Sequence, residues 1–216
     1  MRAFQAHDKG SIPFRRSILK VENMLEVYDN LFEPRFLIDC HIAARNISWH
    51  YGNKSGSNQY PYNSALSQGN HIFLGALLYH RKSRYYTVNN TPPIFIEVLE
   101  HIVKDVICDH SLNLYQIEGN LQFYGQAGTA HQDVYVGNGK DRTILFYPNL
   151  EWNETLGGEL EILDDYDTIV ERILPLPGRV VYFDSTIKHR AVDPCIVNTP
   201  RFSIAYRMEK PFSTAG

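Results

Sequence analysis

The spacing of apolar residues changes character about halfway along the chain. In the first half, two segments repeat at helical intervals. One opens at Glu33-Pro34 and runs to Asn46, with Phe36, Leu37, Cys40, Ile42, Ala43 and Ala44 apolar and Arg35, Asp39 and Arg45 polar. Proline suits a first helical turn, where its missing N–H has no partner to lose. The other follows Thr91-Pro92-Pro93, with Thr91 as the expected N-cap. There Phe95, Leu99, Ile102, Val106 and Ile107 share one face, and Glu97, Glu100, Lys104 and Asp105 face away. Both apolar stripes read as core-facing. Residues 48–90 between them are rich in Gly, Ser, Asn, Gln and Tyr, and hold six of the 14 tyrosines: Tyr51, Tyr60, Tyr62, Tyr79, Tyr85 and Tyr86. This stretch reads as loops with one short helix near residues 72–80. A long loop inside a compact domain is usually functional, so it is the expected substrate lid.

From residue 112 the period becomes two. Segments 121–124, 143–147, 159–163, 169–174, 179–183 and 202–208 read as strands, punctuated by Gly125, Gly128, Gly137, Gly139, Gly157-Gly158 and Pro177-Gly178. Short strands separated by turn signals predict a sandwich or jelly roll. The fold class is therefore α+β, mainly β, with N-terminal helices packed outside. The expected organisation is a single domain over residues 1–216. Residues 1–110 give helical and loop support, and residues 111–210 form the β core.

Composition narrows the function without naming it. The chain has 216 residues, 44% hydrophobic and 21% charged, which is ordinary for a globular protein. Residues 1–110 carry 12 basic against 10 acidic side chains, and the remainder 9 against 14. Nucleic-acid specialists show a stronger positive footprint, so a nucleic-acid partner is disfavoured. The longest apolar run is eight residues, well short of the ~20 that a membrane helix needs, so no membrane partner is expected. Cys40, Cys108 and Cys195 are odd in number and widely spaced, and no apolar signal segment opens the chain; the expected setting is cytoplasmic, with reduced thiols.

Two of the nine histidines lie in the strand-rich half, His131 and His189. In His131-Gln132-Asp133 an imidazole and a carboxylate stand two apart. On an extended strand they share a face, so both can hold one ion. Alone this signal is weak. Jelly rolls, however, bring distant strands together, and His189 follows the strand at 179–183. Two His and one carboxylate on one face of an ion leave positions open, the arrangement of non-heme Fe(II) oxygenases. Twelve residues after His189, Arg201-Phe202-Ser203 begins a strand with Arg201 and Ser203 on one face. A guanidinium fork matches a carboxylate, and a hydroxyl adds one hydrogen bond. Arg207, the alternative anchor, lies on the same face about 20 Å further along, and Arg201 is preferred.

With these words in place, the sequence resembles the 2-oxoglutarate and Fe(II)-dependent oxygenases, specifically their prolyl-4-hydroxylase-like group. The resemblance runs through Tyr124-Gly125, Gly128, His131-Gln132-Asp133, Phe146-Tyr147-Pro148-Asn149, Trp152, Gly157-Gly158-Glu159-Leu160, Pro177-Gly178-Arg179, His189-Arg190 and Arg201. It is the order and spacing of these words that is specific. The chain departs from the collagen-type enzymes in carrying Arg201 where those use lysine, and in a longer gap between His189 and Arg201. The resemblance implies a double-stranded β-helix. It also implies His131, Asp133 and His189 as ligands of Fe(II), and Arg201, Ser203, Tyr124 and Tyr147 around 2-oxoglutarate, with dioxygen as oxidant and ascorbate as an accessory reductant. The implied activity is hydroxylation of a C–H bond, with a peptidyl or free amino acid such as proline as the leading substrate. A small-molecule biosynthetic oxidase and a nucleic-acid demethylase are the alternatives within the superfamily. A non-catalytic jelly-roll binding module is the alternative outside it.

Overall fold

A computed structural model describes residues 14–17, 24–53, 72–83, 86–133 and 141–210. In chain order the strands are β1 (Phe14–Ser17), β2 (Leu25–Asp29), β3 (His50–Asn53), β4 (Phe73–Ser83), β5 (Tyr86–Asn89), β6 (Asn113–Gln122), β7 (Arg142–Phe146), β8 (Leu160–Leu163), β9 (Ile169–Ile173), β10 (Val180–Asp184), β11 (Lys188–Ala191) and β12 (Arg201–Glu209). The helices are α1 (Pro34–Arg45) and α2 (Pro93–His101). The large sheet runs β1-β2-β10-β7-β12-β6-β4-β3, with β5 paired to β4, and a second sheet runs β11-β8-β9. Every strand pair is antiparallel.

Alternation along the strands builds two cores. On β12, Phe202, Ile204, Tyr206 and Met208 face outward and join Cys40, Ala44, Phe95, Val98, Leu99 and Ile102 of the helical segments. Ala205, on the opposite face, lies inside the barrel with Leu145, Tyr147, Leu160, Ile162, Val181 and Phe183. Because that inner cluster draws on both sheets, the sheets face one another, as expected of a double-stranded β-helix.

The strand expectations for the second half agree with β6–β10 and β12 to within a few residues, except that β6 begins earlier, at Asn113. The first half departs from its reading. Residues 72–80 are not a helix: they lie in β4, paired to β6 on one side and to β3 and β5 on the other. Eight apolar residues in a row carry no period, and such a run fits a strand buried on both faces as well as a helix. Residues 1–110 thus supply five strands as well as helices. Thr91 is also not the N-cap: Pro92 takes that position, without a side-chain cap. The helix continues past His101 as a wider π-type turn, Ile102–Ile107, and ends at Cys108 in the left-handed region, φ 56°. Of the expected substrate lid, residues 54–71 and 84–85 lie outside the described residues. Among the described residues no helix is long and apolar enough to cross a membrane.

Candidate metal centre

Two segments of the chain, the one carrying His131 and Asp133 and strand β11, converge on one point. The chain at His131 pairs with His189 of β11, each backbone N–H donating to the other's carbonyl at 2.9 Å. Asp133 is tied two residues later, its N–H donating to the Ser185 carbonyl at 2.9 Å. As a result His131, Asp133 and His189 present one ligand atom each within 4.8 Å of one another. His131 Nε2 lies 3.5 Å from Asp133 Oδ1, and His189 Nε2 lies 3.7 Å from Oδ2.

Backbone carbonyls orient both imidazoles. His131 Nδ1 meets the Thr129 carbonyl at 2.9 Å, and His189 Nδ1 meets the Ile187 carbonyl at 2.9 Å. A carbonyl can only accept, so each Nδ1 carries the proton and each Nε2 lone pair faces the partner residues. That is the tautomer a metal ligand needs. Burial and the neighbouring His131 hold His189 down to about 4, which keeps its imidazole neutral. Burial works against ionisation of Asp133, but the Arg207 guanidinium together with His131 and His189 outweighs it and holds the carboxyl well below its usual range. For His131 burial opposes the charge, while Asp133 outweighs it and raises the ring above 6.5. Two neutral-capable imidazoles and one carboxylate in a buried corner fit a divalent transition metal with open positions.

Arg201 begins β12 and is the largest fully buried side chain, at 1% exposure. Its Nε donates to the Gly158 carbonyl at 2.7 Å and its Nη1 to Gln122 Oε1 at 2.8 Å. The guanidinium lies 5.3 Å from the centre of the Tyr147 ring. No carboxylate among the described residues pairs with it. The Tyr147 hydroxyl is fully buried and has no hydrogen-bond partner among the described residues, and burial pushes its pKa upward. Ser203 follows on the same inward face, 4% exposed.

Six of the seven expected site residues lie on this inner side, and one does not. Tyr124 is 58% exposed. Strand β6 ends at Gln122, and the chain turns where Gln126 bonds to Phe123 and accepts from Gln122. The turn carries Tyr124 out of the sheet, and Gln122 takes the inward place beside Arg201. Sequence reading also missed Thr143 and Ser185, and weighed Arg207 only as the alternative carboxylate anchor. Thr143 Oγ1 donates to Asp133 Oδ2 at 3.0 Å and shares a 3.1 Å bond with Ser185 Oγ. Arg207 pairs with Asp133 at 3.1 Å. Its inward parity on β12 was visible, but its partner depended on the fold.

Comparison with known proteins agrees with the geometry. Residues 119–207 match the family model of the 2OG-Fe(II) oxygenase superfamily. No curated protein matches the sequence. Among solved structures, an oxidoreductase of the 2OG-Fe(II) oxygenase family from Burkholderia pseudomallei is similar at TM-score 0.58 and 10% identity, over 84% of this chain and 82% of that one. A Pseudomonas putida prolyl-4-hydroxylase is similar at 0.54 and 11%, over 87% and 93%. A Trichoplax adhaerens prolyl hydroxylase, solved with a hypoxia inducible factor oxygen degradation domain peptide fragment, is similar at 0.57 and 14%, over 86% and 83%. At these identities the structural likeness speaks for the fold alone. The matched segment, residues 119–207, spans the converging triad and Arg201 and is similar to the 2OG-Fe(II) oxygenase superfamily, whose chemistry uses Fe(II), 2-oxoglutarate and dioxygen.

Proposed function

We propose that this chain hydroxylates a C–H bond of a peptidyl or free amino acid, with proline as the leading candidate. The observation that carries the reading is Arg201, a buried cation with no carboxylate partner among the described residues, on the same inward strand face that reaches the triad. Burying an unpaired charge is costly, so such a site calls for an anion supplied from outside.

In this reading His131, Asp133 and His189 hold Fe(II). Iron bound there supplies the site at which dioxygen and 2-oxoglutarate react, giving succinate, carbon dioxide and a hydroxylated substrate. The chain's own residues do the rest. Arg201 holds the distal carboxylate through its free N–H groups, with Ser203 and the Tyr147 hydroxyl as neutral donors beside it. Phe183 packs edge-on to the His189 ring, at 4.9 Å between centres, and helps keep water from the imidazole. The presence of Asp133 favours hydroxylation over halogenation, because the carboxylate occupies the position a halide would need. Proline is favoured because two structurally similar proteins are described as prolyl hydroxylases.

The test is succinate formation from 2-oxoglutarate under air with Fe(II), against a panel of proline-containing peptides and free amino acids. Stimulation by one of these, with a mass gain of one oxygen on it, is the expected result. Slow succinate release that no member of the panel stimulates would direct the search to small molecules. Absence of iron-dependent succinate altogether would refute the enzymatic reading.

A further inference from the structure

Both oxygens of Asp133 are engaged within the protein itself. Oδ2 accepts from the Thr143 hydroxyl at 3.0 Å, and Oδ1 accepts from Arg207 Nη2 at 3.1 Å. Arg207 is itself braced, with Nη1 donating to Glu118 Oε2 at 3.3 Å. Glu118 in turn accepts from Asn53 at 3.1 Å and Gln116 at 3.2 Å. Each oxygen also faces one imidazole, Oδ1 His131 Nε2 at 3.5 Å and Oδ2 His189 Nε2 at 3.7 Å, so the difference lies in the other partner: a neutral hydroxyl stands at Oδ2, and a permanently charged guanidinium stands at Oδ1.

The geometry points to Arg207 as a positioning residue that confines Asp133 to ligation through a single oxygen. A divalent ion approaching Oδ1 meets the guanidinium charge, whereas the Thr143 hydroxyl at Oδ2 presents no such repulsion. The ion takes Oδ2 with the two imidazoles, and Oδ1 stays with Arg207. The functional consequence is a count of open positions. Single-oxygen ligation leaves about three positions on a six-coordinate ion, and a chelating carboxylate leaves about two. A keto acid bound through two atoms and dioxygen through one together need the larger number. Arg207 thus protects the dioxygen position without touching the metal. The inference rests on the metal reading of the triad.

The experiment uses the full chain loaded with Mn(II), without 2-oxoglutarate, and counts exchangeable metal-bound waters by water-proton relaxation. The wild type should hold about three waters and Arg207→Met about two. Arg207→Gln keeps an amide donor for Oδ1 but no charge, and should also hold about two. Arg207→Lys keeps a cation beside the carboxylate and should restore about three. Circular dichroism identifies the folded variants, and either neutral variant suffices. About two waters in the wild type overturns the proposal whether or not any variant folds. So does an unchanged count in a folded neutral variant. Failure of the wild type to bind Mn(II) at all would instead remove the metal reading, and the proposal with it.

Discussion

Replacing Arg201 by methionine separates its duty to a ligand from its duty to the fold. A guanidinium has five N–H donors. Two are committed, to Gly158 and to Gln122, which leaves three in a buried site. A carboxylate seated there takes two charge-assisted bonds, each contributing about 1.5–3 kcal/mol. Their loss, about 3–6 kcal/mol, should raise the 2-oxoglutarate Kd by roughly 10²- to 10⁴-fold at about 1.4 kcal/mol per decade. The effect on the ligand-free protein is smaller because two contributions oppose. The variant strands two buried acceptors at about 1–3 kcal/mol each, but it also removes an unpaired buried charge. Thermal denaturation with Mn(II) present reads both. At 2-oxoglutarate equal to about 100 times the wild-type Kd, the wild type gains about 2.7 kcal/mol. That corresponds to roughly 5–11 °C for a chain of this size. The variant, with Kd raised a hundredfold, gains about 0.4 kcal/mol, or on the order of 1 °C. Titration calorimetry gives the Kd directly. A Kd within threefold of wild type in a folded Arg201→Met protein would show that another group anchors the distal carboxylate.

Three further outcomes follow from the site. Thr143→Val removes the hydroxyl on Asp133 Oδ2 and should weaken Mn(II) binding by about 10- to 100-fold, the usual range for a partner of a metal ligand; equal affinity by calorimetry would dismiss its role. His189 is held down to about 4, so between pH 6.5 and 4 the unfolded chain takes up a proton there that the folded chain does not. The metal-free protein should therefore lose stability as pH falls through that window, on the order of 3 kcal/mol from this group, with His131, raised by Asp133, opposing part of it; urea midpoints in chelator that do not fall would count against the assignment. Gly158 has φ +76°, and a Cβ there would lie 2.7 Å from the Trp152 ring and 3.3 Å from Arg201 Cδ. Gly158→Ala should cost about 1–3 kcal/mol in urea unfolding and also weaken 2-oxoglutarate binding; a neutral effect on both would mean the loop relaxes freely.

The parts of the fold legible in sequence are those where period and punctuation agree. Strands β7, β8, β9, β10 and β12 alternate between two differently filled faces and are bounded by Gly or Pro, so their positions show. Strand β4 does not show, because its residues are apolar on both faces although only Leu74, Ala76 and Leu78 join the helix-side core and Leu77 opposite is 42% exposed, so no alternation survives in the sequence. The triad was legible because parity places His131 and Asp133 on one side, and a closed sheet can return His189 to them. Tyr124 was misplaced because parity holds only while the strand lasts. The turn after Gln122 is built from Gln126 hydrogen bonds that carry no pattern. Thr143, Ser185 and the Asp133 contact of Arg207 were hidden for another reason: each depends on a partner that only the folded chain brings near.

The alternation along β12 makes pairing errors in this strand self-defeating. Its inward residues Arg201, Ser203 and Arg207 are polar, and its outward residues Phe202, Ile204, Tyr206 and Met208 are apolar. A shift of one residue against β6 or β7 would drive two guanidinium groups beneath the helices and aim four apolar side chains at the metal corner. Such a chain would lose its helix-side core and its ligand sites together. An inactive but stable slipped form is therefore not available to this sequence. In a folded population the fraction of molecules with β12 correctly paired and the fraction able to bind the metal and the keto acid should be the same number.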